Sequence, residues 1–386
     1  MDKHVQMRNS RLLCIYVAIL ATSLACAPAA GAKSVSFVLR GAGFGHGIGM
    51  SQYGAQGLAS HGKDYKEILA RYYAGTEIGE SPRGTIRVIL RQGVAAVKFS
   101  GASSAGGGVD LDPGTTYTVK RSGDAIKLLR GSKTVREYSD GLRIDAGSDA
   151  TRLYGTAIGG LRDGRYRGSL DFSVTPLRGM YVVNDLGIDD YVQGVVPGEV
   201  PSTWEPAALR AQAVAARSYA QTTDAGGALF DQYPDTRSQV YRGASVETAD
   251  TNSAVKATQG EVVKYKGTVA TTFFFSTSGG RTENIENVWY GSKPVAYLKS
   301  VEDPYDDGSP YHRWTIRLSR ASLQSKLGDF VQGRLKDVKV VKRGVSPRVI
   351  KATVVGTRGS TSITGTELRG KLGLRDTWVS FKRVQR

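Results

Sequence analysis

Hydrophobic and polar positions follow two different periods along this chain of 386 residues. SVSFVLR (34–40) reads as a short strand, and MSQYGAQGLAS after it as a helix with Ser51 as cap and Gly57 as a weak spot. DYKEILARYYAGT sets Tyr65, Ile68, Leu69 and Tyr72 at helical spacing and stops at Gly75. From Ser81 to about Leu186 the pattern changes to short β-rich runs: TIRVIL, VAAVKFS, TYTVKR, AIKLLR, RIDA, YRGSLDFSV and MYVVND, with GASSAGGGVDLDPG as a loop. Many are separated by Gly, Ser or Asp, which predicts antiparallel β structure. PSTWEPAALRAQAVAARSYAQ is the strongest helix, with Ser202 or Thr203 as cap, Glu205 near its positive end and Pro206 in the first turn. Its alanines, Ala207, Ala211 and Ala215 among them, favour helix and close packing. A Gly-rich connection (224–245), a short helix near ADTNSAVKATQG and strands EVVKYKG and VATTFFFSTS come next. Residues 311–386 mix strands (WTIRLS, VKVVKR, RVIKATVVG) with helices (RASLQSKLG, TGTELRGKLG). The class is α+β and β-rich, without fixed-period repeats or a long low-complexity linker.

The opening residues read differently. MDKHVQMRNSR is basic at Lys3, Arg8 and Arg11, LLCIYVAILATSLACA is apolar, and Ala30-Gly31-Ala32 offers a small-residue cleavage site. This layout predicts a secretory signal peptide over 1–32 and a mature start at Lys33, hence a secreted or wall location with no stable membrane insertion. The apolar run is short for a membrane span. A lipid anchor at Cys26 would want an aliphatic residue three places earlier, where Ser23 stands. Both cysteines, Cys14 and Cys26, lie in this segment. The mature chain therefore has no disulfide, no Cys-based zinc site and no Cys nucleophile, and needs a real hydrophobic core.

The net charge is +17, or +15 once the three Lys/Arg and one Asp of residues 1–32 are removed. Inside a cell such a charge would suggest nucleic acid. Outside it, the acidic polymers of a bacterial wall are the expected partner, and nucleic acid is not. The charge is spread without an arginine-rich run, so it argues for wall affinity in general and not for a reaction.

Three stretches could carry chemistry. In GAGFGHGIGMSQYGAQGLAS (41–60) five alternating glycines enclose His46. A phosphate loop would need Gly-Lys-Ser/Thr, and the dinucleotide pattern fails because the glycines alternate strictly. Small residues ahead of a helix suit close approach of a ligand to backbone, or else a packed turn with His46 as a hydrogen-bonded structural residue. In IDDYVQGVVPGEVPSTWEP (188–206) Glu199 sits between Pro197 and Pro201 on an expected stiff loop. Near Tyr191 and Trp204 its pKa could be tuned, or it could simply favour the following helix dipole. In FFFSTSGGRTENIENVW (273–289) Ser276, Thr277, Ser278, Gly279 and Gly280 form an expected polar, open turn, followed by Arg281. Such a turn could meet a sugar or be an ordinary Ser/Gly turn. G-x-S-x-G is absent, and only His46, His61 and His312 remain in the mature chain, which gives a Ser-His hydrolase little footing. EDPYDDG (302–308) lacks EF-hand spacing and reads as a solvated acidic turn. No metal or cofactor is expected.

GAGFGHGIGMSQYGAQGLA, VVPGEVPSTWEPAALRAQAVAARSYA and STSGGRTENIENVW with YLKSVEDPYD together resemble the sporulation stage II protein D family, the SpoIID/LytB domain. The resemblance covers most of the mature chain, most clearly 35–78 and 180–320. It implies an SpoIID-like domain with a substrate groove, acting on peptidoglycan glycan strands. Enzymatic members are lytic transglycosylases that prefer peptide-stripped strands, and others enhance a wall amidase. Carried onto this chain, the resemblance makes Glu199 the catalytic acid. Gln212, Arg217, Ser218 and Tyr219 would line the groove or hold the Glu199 loop. Ser276, Ser278, Gly279, Gly280 and Arg281 would contact sugar, and His46, Ser51, Gln52 and Tyr53 would form the opposing wall. Many members carry the GHG-x-GMSQ segment at the C-terminal end. Here it comes first, which implies a circular permutation with Ser34 near the last residues. The implied organisation is an N-terminal segment 33–80, a β-rich segment 81–180 that could be an insertion, and a main region 181–386. Cysteine-bound zinc of some members is not expected here.

Overall fold

The computed structural model describes residues 35–385 except 83, 148 and 290. The expected signal peptide lies outside these residues. The strand Val35–Ala42 opens the described chain, followed by helices α1 (Gln52–Ser60) and α2 (Tyr65–Tyr72). Ser51 caps α1, accepting from the Gly54 N–H at 3.2 Å, and Asp64 with Glu67 forms a capping box on α2.

Residues 85–187 build two six-stranded antiparallel sheets. Their facing sides share one core, with Val97, Phe99 and Val119 from one sheet and Leu90, Phe172 and Val182 from the other. The stretch read as a loop at 101–114 carries two short strands, Ser104–Ala105 and Val109–Asp110, which extend one sheet at its edge. Their brevity hides them from any periodicity.

The same core continues into helices α3 (Ile188–Glu199), α4 (Pro206–Thr222) and α5 (Ala249–Ala257) through Val192, Val195, Leu209, Ala213 and Val255. Helix α4 is the axle. Leu209, Ala213, Ala216 and Ala220 recur at helical spacing toward this core, while Ala211, Val214 and Ala215 face a second core built by α1, α2 and Val263. A helix buried on both faces needs small side chains, which the alanines supply. Its N-cap is Glu205, with no side-chain cap bond, and not Ser202 or Thr203. Pro206 holds the residue before it extended, so the helix cannot begin upstream.

VATTFFFSTS is mostly irregular. Val269 ends the strand Thr268–Val269, and Phe274–Phe275 forms a parallel two-residue pairing with Met50–Ser51. Helix α6 (Ile285–Val288) follows. The C-terminal part has its own core, in which Phe37 and Leu39 pack with Leu323, Val338, Val354 and Leu372. It comprises helices α7 (Arg320–Leu327) and α8 (Gly365–Leu372) and two three-stranded sheets. In one of them Val35–Ala42 lies between Arg313–Ser319 and Val379–Gln385, with Val35 opposite Gln385. The two ends of the described chain are thus strand neighbours.

Candidate active site

Glu199 is not on a loop. It is the last residue of α3, which contains Pro197 and gives way to extended backbone at Val200. Pro197 withholds one donor from the last turn, and the helix stops two residues later. Two glycines bring α3 against residues 240–243. A Cβ at Gly194 would stand 2.6 Å from the Tyr241 ring, and one at Gly198 would stand 2.5 Å from the Val240 carbonyl oxygen. This close approach lets the Val240 N–H donate to Glu199 Oε1 at 2.7 Å. The segment is pinned from behind. Tyr191 donates to Gln239 Oε1 at 2.9 Å, Gln239 reaches the Ala216 carbonyl at 3.3 Å, and Tyr241 donates to Asn184 at 2.7 Å.

Glu199 is half-buried, with its carboxyl packed inward. Burial raises its pKa above the usual carboxylate value, against the opposing Val240 N–H and a hydrogen bond from Gln52. Among the described residues neither a second carboxylate nor a cation contributes to this shift. The negative charge of Glu199 acts on both Tyr191 and Tyr219, whose phenols burial pushes up. The Tyr219 ring stands against Phe273 and Phe274, at 5.8 and 6.3 Å. Gln52 also donates to Gln212 Oε1 at 3.4 Å, while Gln212 Nε2 is buried without a partner among the described residues. The arrangement is one carboxyl with a raised pKa beside amide and phenol groups, with one amide donor uncommitted among the described residues.

The rim is aromatic. Tyr53 meets Trp204 edge-on at 5.0 Å, and the Tyr53 N–H donates to the Ser276 carbonyl at 3.0 Å. Trp204 also walls a recess of about 350 Å³ with Arg210, Asp250 and Ser253, whose lining does not include Glu199. Of the residues expected at the site, Gln52 and Tyr219 interact with Glu199, Gln212 joins through Gln52, and Tyr53 and Ser276 meet each other through a backbone hydrogen bond.

The others lie elsewhere. His46 accepts from the Ile48 N–H at Nδ1 (3.0 Å), so its Nε2 carries the proton donated to the Phe274 carbonyl (3.0 Å). Burial chiefly, with the charges of Arg369 and Arg348, lowers its pKa to about 3. Both nitrogens are committed to backbone, which matches the structural reading of this residue. The glycines around it serve internal contacts and not the approach of a sugar. A Cβ at Gly47 would meet Arg348 at 2.4 Å, and one at Gly49 would meet the Phe273 carbonyl at 2.1 Å, with both residues at positive φ. Ser51 caps α1 and also accepts from the Ser278 N–H at 3.2 Å. Arg217 is buried and reaches Asp189 at 2.6 Å and the Glu261 carbonyl at 2.8 Å. Ser218 accepts from the Val263 N–H at 2.8 Å. Both brace α4 from within.

The turn at 276–280 is not open, since Thr277, Ser278 and Gly279 are buried. Nor is the acidic turn solvated. Asp303 and Asp306 are fully buried, and Asp306 accepts from Ser278 Oγ (3.0 Å), from the Gly279 N–H (2.5 Å) and from His312 Nδ1 (2.7 Å). Gly280 donates to Ser278 Oγ at 2.9 Å. The serine-glycine turn and the acidic turn satisfy each other, a pairing that neither segment shows alone. Arg281 is partly exposed and contacts Ser300 Oγ at 3.1 Å and Glu302 at 3.4 Å. The Val240 N–H and Gln239 had no sequence signal, because a backbone donor leaves no trace in residue type.

The segment that builds this site is also the one that known proteins share. A family model for the stage II sporulation protein SpoIID matches residues 177–265, which span α3 through α5 and include Glu199. The chain is 34% identical over 221 residues to stage II sporulation protein D of Bacillus subtilis, covering 52% of this chain and 62% of that protein. It is 34% identical over 221 residues to the same protein of Bacillus amyloliquefaciens. An amidase enhancer of Bacillus subtilis is 35% identical over 225 residues, covering 58% of this chain and 29% of that protein. The match thus spans under two thirds of the sporulation relatives' own length. Residues 177–265, which carry Glu199, are thus similar to the stage II sporulation protein (SpoIID) family.

Proposed function

We propose that the protein is a secreted lytic transglycosylase of the bacterial wall, acting on peptidoglycan strands stripped of their stem peptides. The observation that carries this reading is Glu199, a lone carboxyl whose pKa is raised by burial and not by a neighbouring charge. Hydrolysis of a glycosidic bond ordinarily takes two carboxyl groups. An intramolecular cleavage needs one that works twice. Protonated Glu199 donates to the oxygen between N-acetylmuramic acid and N-acetylglucosamine as the bond to the muramic anomeric carbon breaks. The muramic C6 hydroxyl then bonds to that carbon and passes its proton to the Glu199 carboxylate. The products are a 1,6-anhydro end and a free N-acetylglucosamine end, no water is consumed, and the acid is regenerated. A carboxyl held above its usual pKa suits both halves of the cycle. Gln52 and the Val240 N–H hold it in place, and the Tyr53–Trp204 pair offers contacts to sugar.

A second reading, a wall-binding enhancer of an amidase, is favoured by the similarity to the amidase enhancer. One experiment separates the two. Residues 33–386 are incubated with native and amidase-treated peptidoglycan beside Glu199→Gln, and soluble products are analysed by mass. Anhydro-muramic products that vanish with Glu199→Gln support the enzyme. Binding to sacculi with no products from either substrate overturns it and points to the enhancer.

A further inference from the structure

The positive charge of this protein belongs to one part of it. Residues 35–312 hold 30 Lys/Arg and 30 Asp/Glu, a net charge of zero. Residues 313–385 hold 17 Lys/Arg and 4 Asp/Glu, a net charge of +13. The even spread read along the chain is therefore corrected. The cationic residues coincide with the C-terminal unit that has its own core around Phe37, Leu39, Val338 and Val354.

Within that unit the strands Leu335–Arg343, Val349–Gly356 and Ser360–Thr364 form one antiparallel sheet. Val338, Ala352, Val354 and Ile363 face the core. The opposite face is solvent-exposed and carries Lys339, Lys342 and Lys351. Strict alternation would put Lys339 and Lys342 on opposite faces. The register shift between Val340 and Lys342 leaves Val341 as the extra residue and restores Lys342 to the outer side. Lys342 then lies directly opposite Lys351, with Thr364 next in the row, and Lys339 lies opposite Thr353 and Ser362. Like charges opposite each other destabilise a sheet. Among the described residues no ion pair offsets this, since the one ion pair inside residues 313–385 joins buried Arg348 to Asp376. Asp337, the nearest carboxylate along the strand, accepts from the Val338 N–H and pairs with none of the three lysines.

We propose that this outer face docks a linear phosphodiester polymer of the bacterial wall, and so holds the protein there independently of Glu199. The proposal rests on the wall location in the reading above. Successive lysines are set apart by two residues along a strand or by neighbouring strands, about 5–7 Å. A chain with one full negative charge on every repeat can meet them in turn. The intervening hydroxyls of Thr353, Ser362 and Thr364 suit the polar linkers between phosphates. Compact ammonium groups without fork geometry fit phosphates as point charges.

The test uses residues 33–386 and immobilised poly(glycerol phosphate) free of glycan, with binding measured from 50 to 300 mM NaCl. The variants are Lys339→Gln/Lys342→Gln/Lys351→Gln and, as an equal loss of charge from the neutral part, Lys66→Gln/Lys98→Gln/Lys120→Gln. The sheet variant is expected to bind at least about tenfold more weakly at 50 mM NaCl, with a salt slope lower by about two to three. The control variant is expected to stay within about twofold of wild type. Equal losses in both variants, or no loss in the sheet variant, overturn the proposal. So does polyglutamate or single-stranded DNA of matched charge binding as tightly with the same dependence on the three lysines. Anhydro-product release from polymer-free, amidase-treated glycan runs alongside and should be unchanged in the sheet variant. A failed glycan reading shows in that arm alone, because the binding arm contains no glycan.

Discussion

Gly198→Ala tests how Glu199 is held. The added Cβ would stand 2.5 Å from the Val240 carbonyl oxygen and 3.2 Å from its Cγ1. Restoring van der Waals contact moves Val240 back by about 0.8 Å. The 2.7 Å bond from its N–H to Glu199 then stretches to about 3.5 Å, past hydrogen-bonding range. A hydrogen bond to a charged group contributes about 1.5–3 kcal/mol. Overpacking adds about 1–3 kcal/mol, and the better helix propensity of Ala returns up to about 1 kcal/mol. The expected net loss is about 1.5–6 kcal/mol by urea unfolding at pH 7. The same substitution in a Glu199→Gln background should cost about 1 kcal/mol less, because a neutral acceptor forfeits a weaker bond. Losing the donor also moves the Glu199 pKa further up, so the protonated acid persists to higher pH. A loss below about 0.5 kcal/mol, or equal losses in both backgrounds, would refute the idea that Gly198 seats the Val240 N–H on this carboxylate.

Two further predictions concern the supports of the site. His46 has a folded pKa of about 3 against an ordinary 6.5, so below pH 6.5 the unfolded chain takes up a proton that the folded one refuses. Its contribution is present above 6.5 and is lost as pH falls, by about 1.4 kcal/mol per unit between pH 6 and 4. His46→Gln should flatten unfolding free energy against pH by that slope over this range, and an unchanged slope contradicts the buried neutral imidazole. Arg348→Met should cost about 3–5 kcal/mol, because it strands buried Asp376 without its partner. Adding Asp376→Asn should recover part of that loss, and no recovery in thermal unfolding would mean that the guanidinium's bonds to the Ser278 and Arg281 carbonyls dominate instead.

Much of the fold could be read from residue order. Tyr65, Ile68, Leu69 and Tyr72 at helical spacing marked α2, the alanine-rich run after Pro206 marked α4 though not its cap, and the short β-rich runs after Ser81 marked strands, because each signal is local. Glu199 was also legible as a candidate, since prolines and aromatics beside a lone acid are visible in order along the chain. The surroundings of these residues were not. A stretch holding two prolines read as a loop, yet apolar burial of Val192, Val195 and Val196 makes Ile188–Glu199 a helix. His46, Ser51, Arg217 and Ser218 bear polar groups that suit a ligand as well as an interior. Only tertiary packing assigned them to the Phe274 carbonyl, the Ser278 N–H, Asp189 and the Val263 N–H. The acids at 303 and 306 looked solvated because the serine and glycine that satisfy Asp306 lie far off in sequence, at 278 and 279. Periodicity and capping are settled by neighbours along the chain. Whether a polar side chain faces solvent, substrate or an orphaned backbone group is settled by what the rest of the chain brings beside it, and one-dimensional order does not contain that.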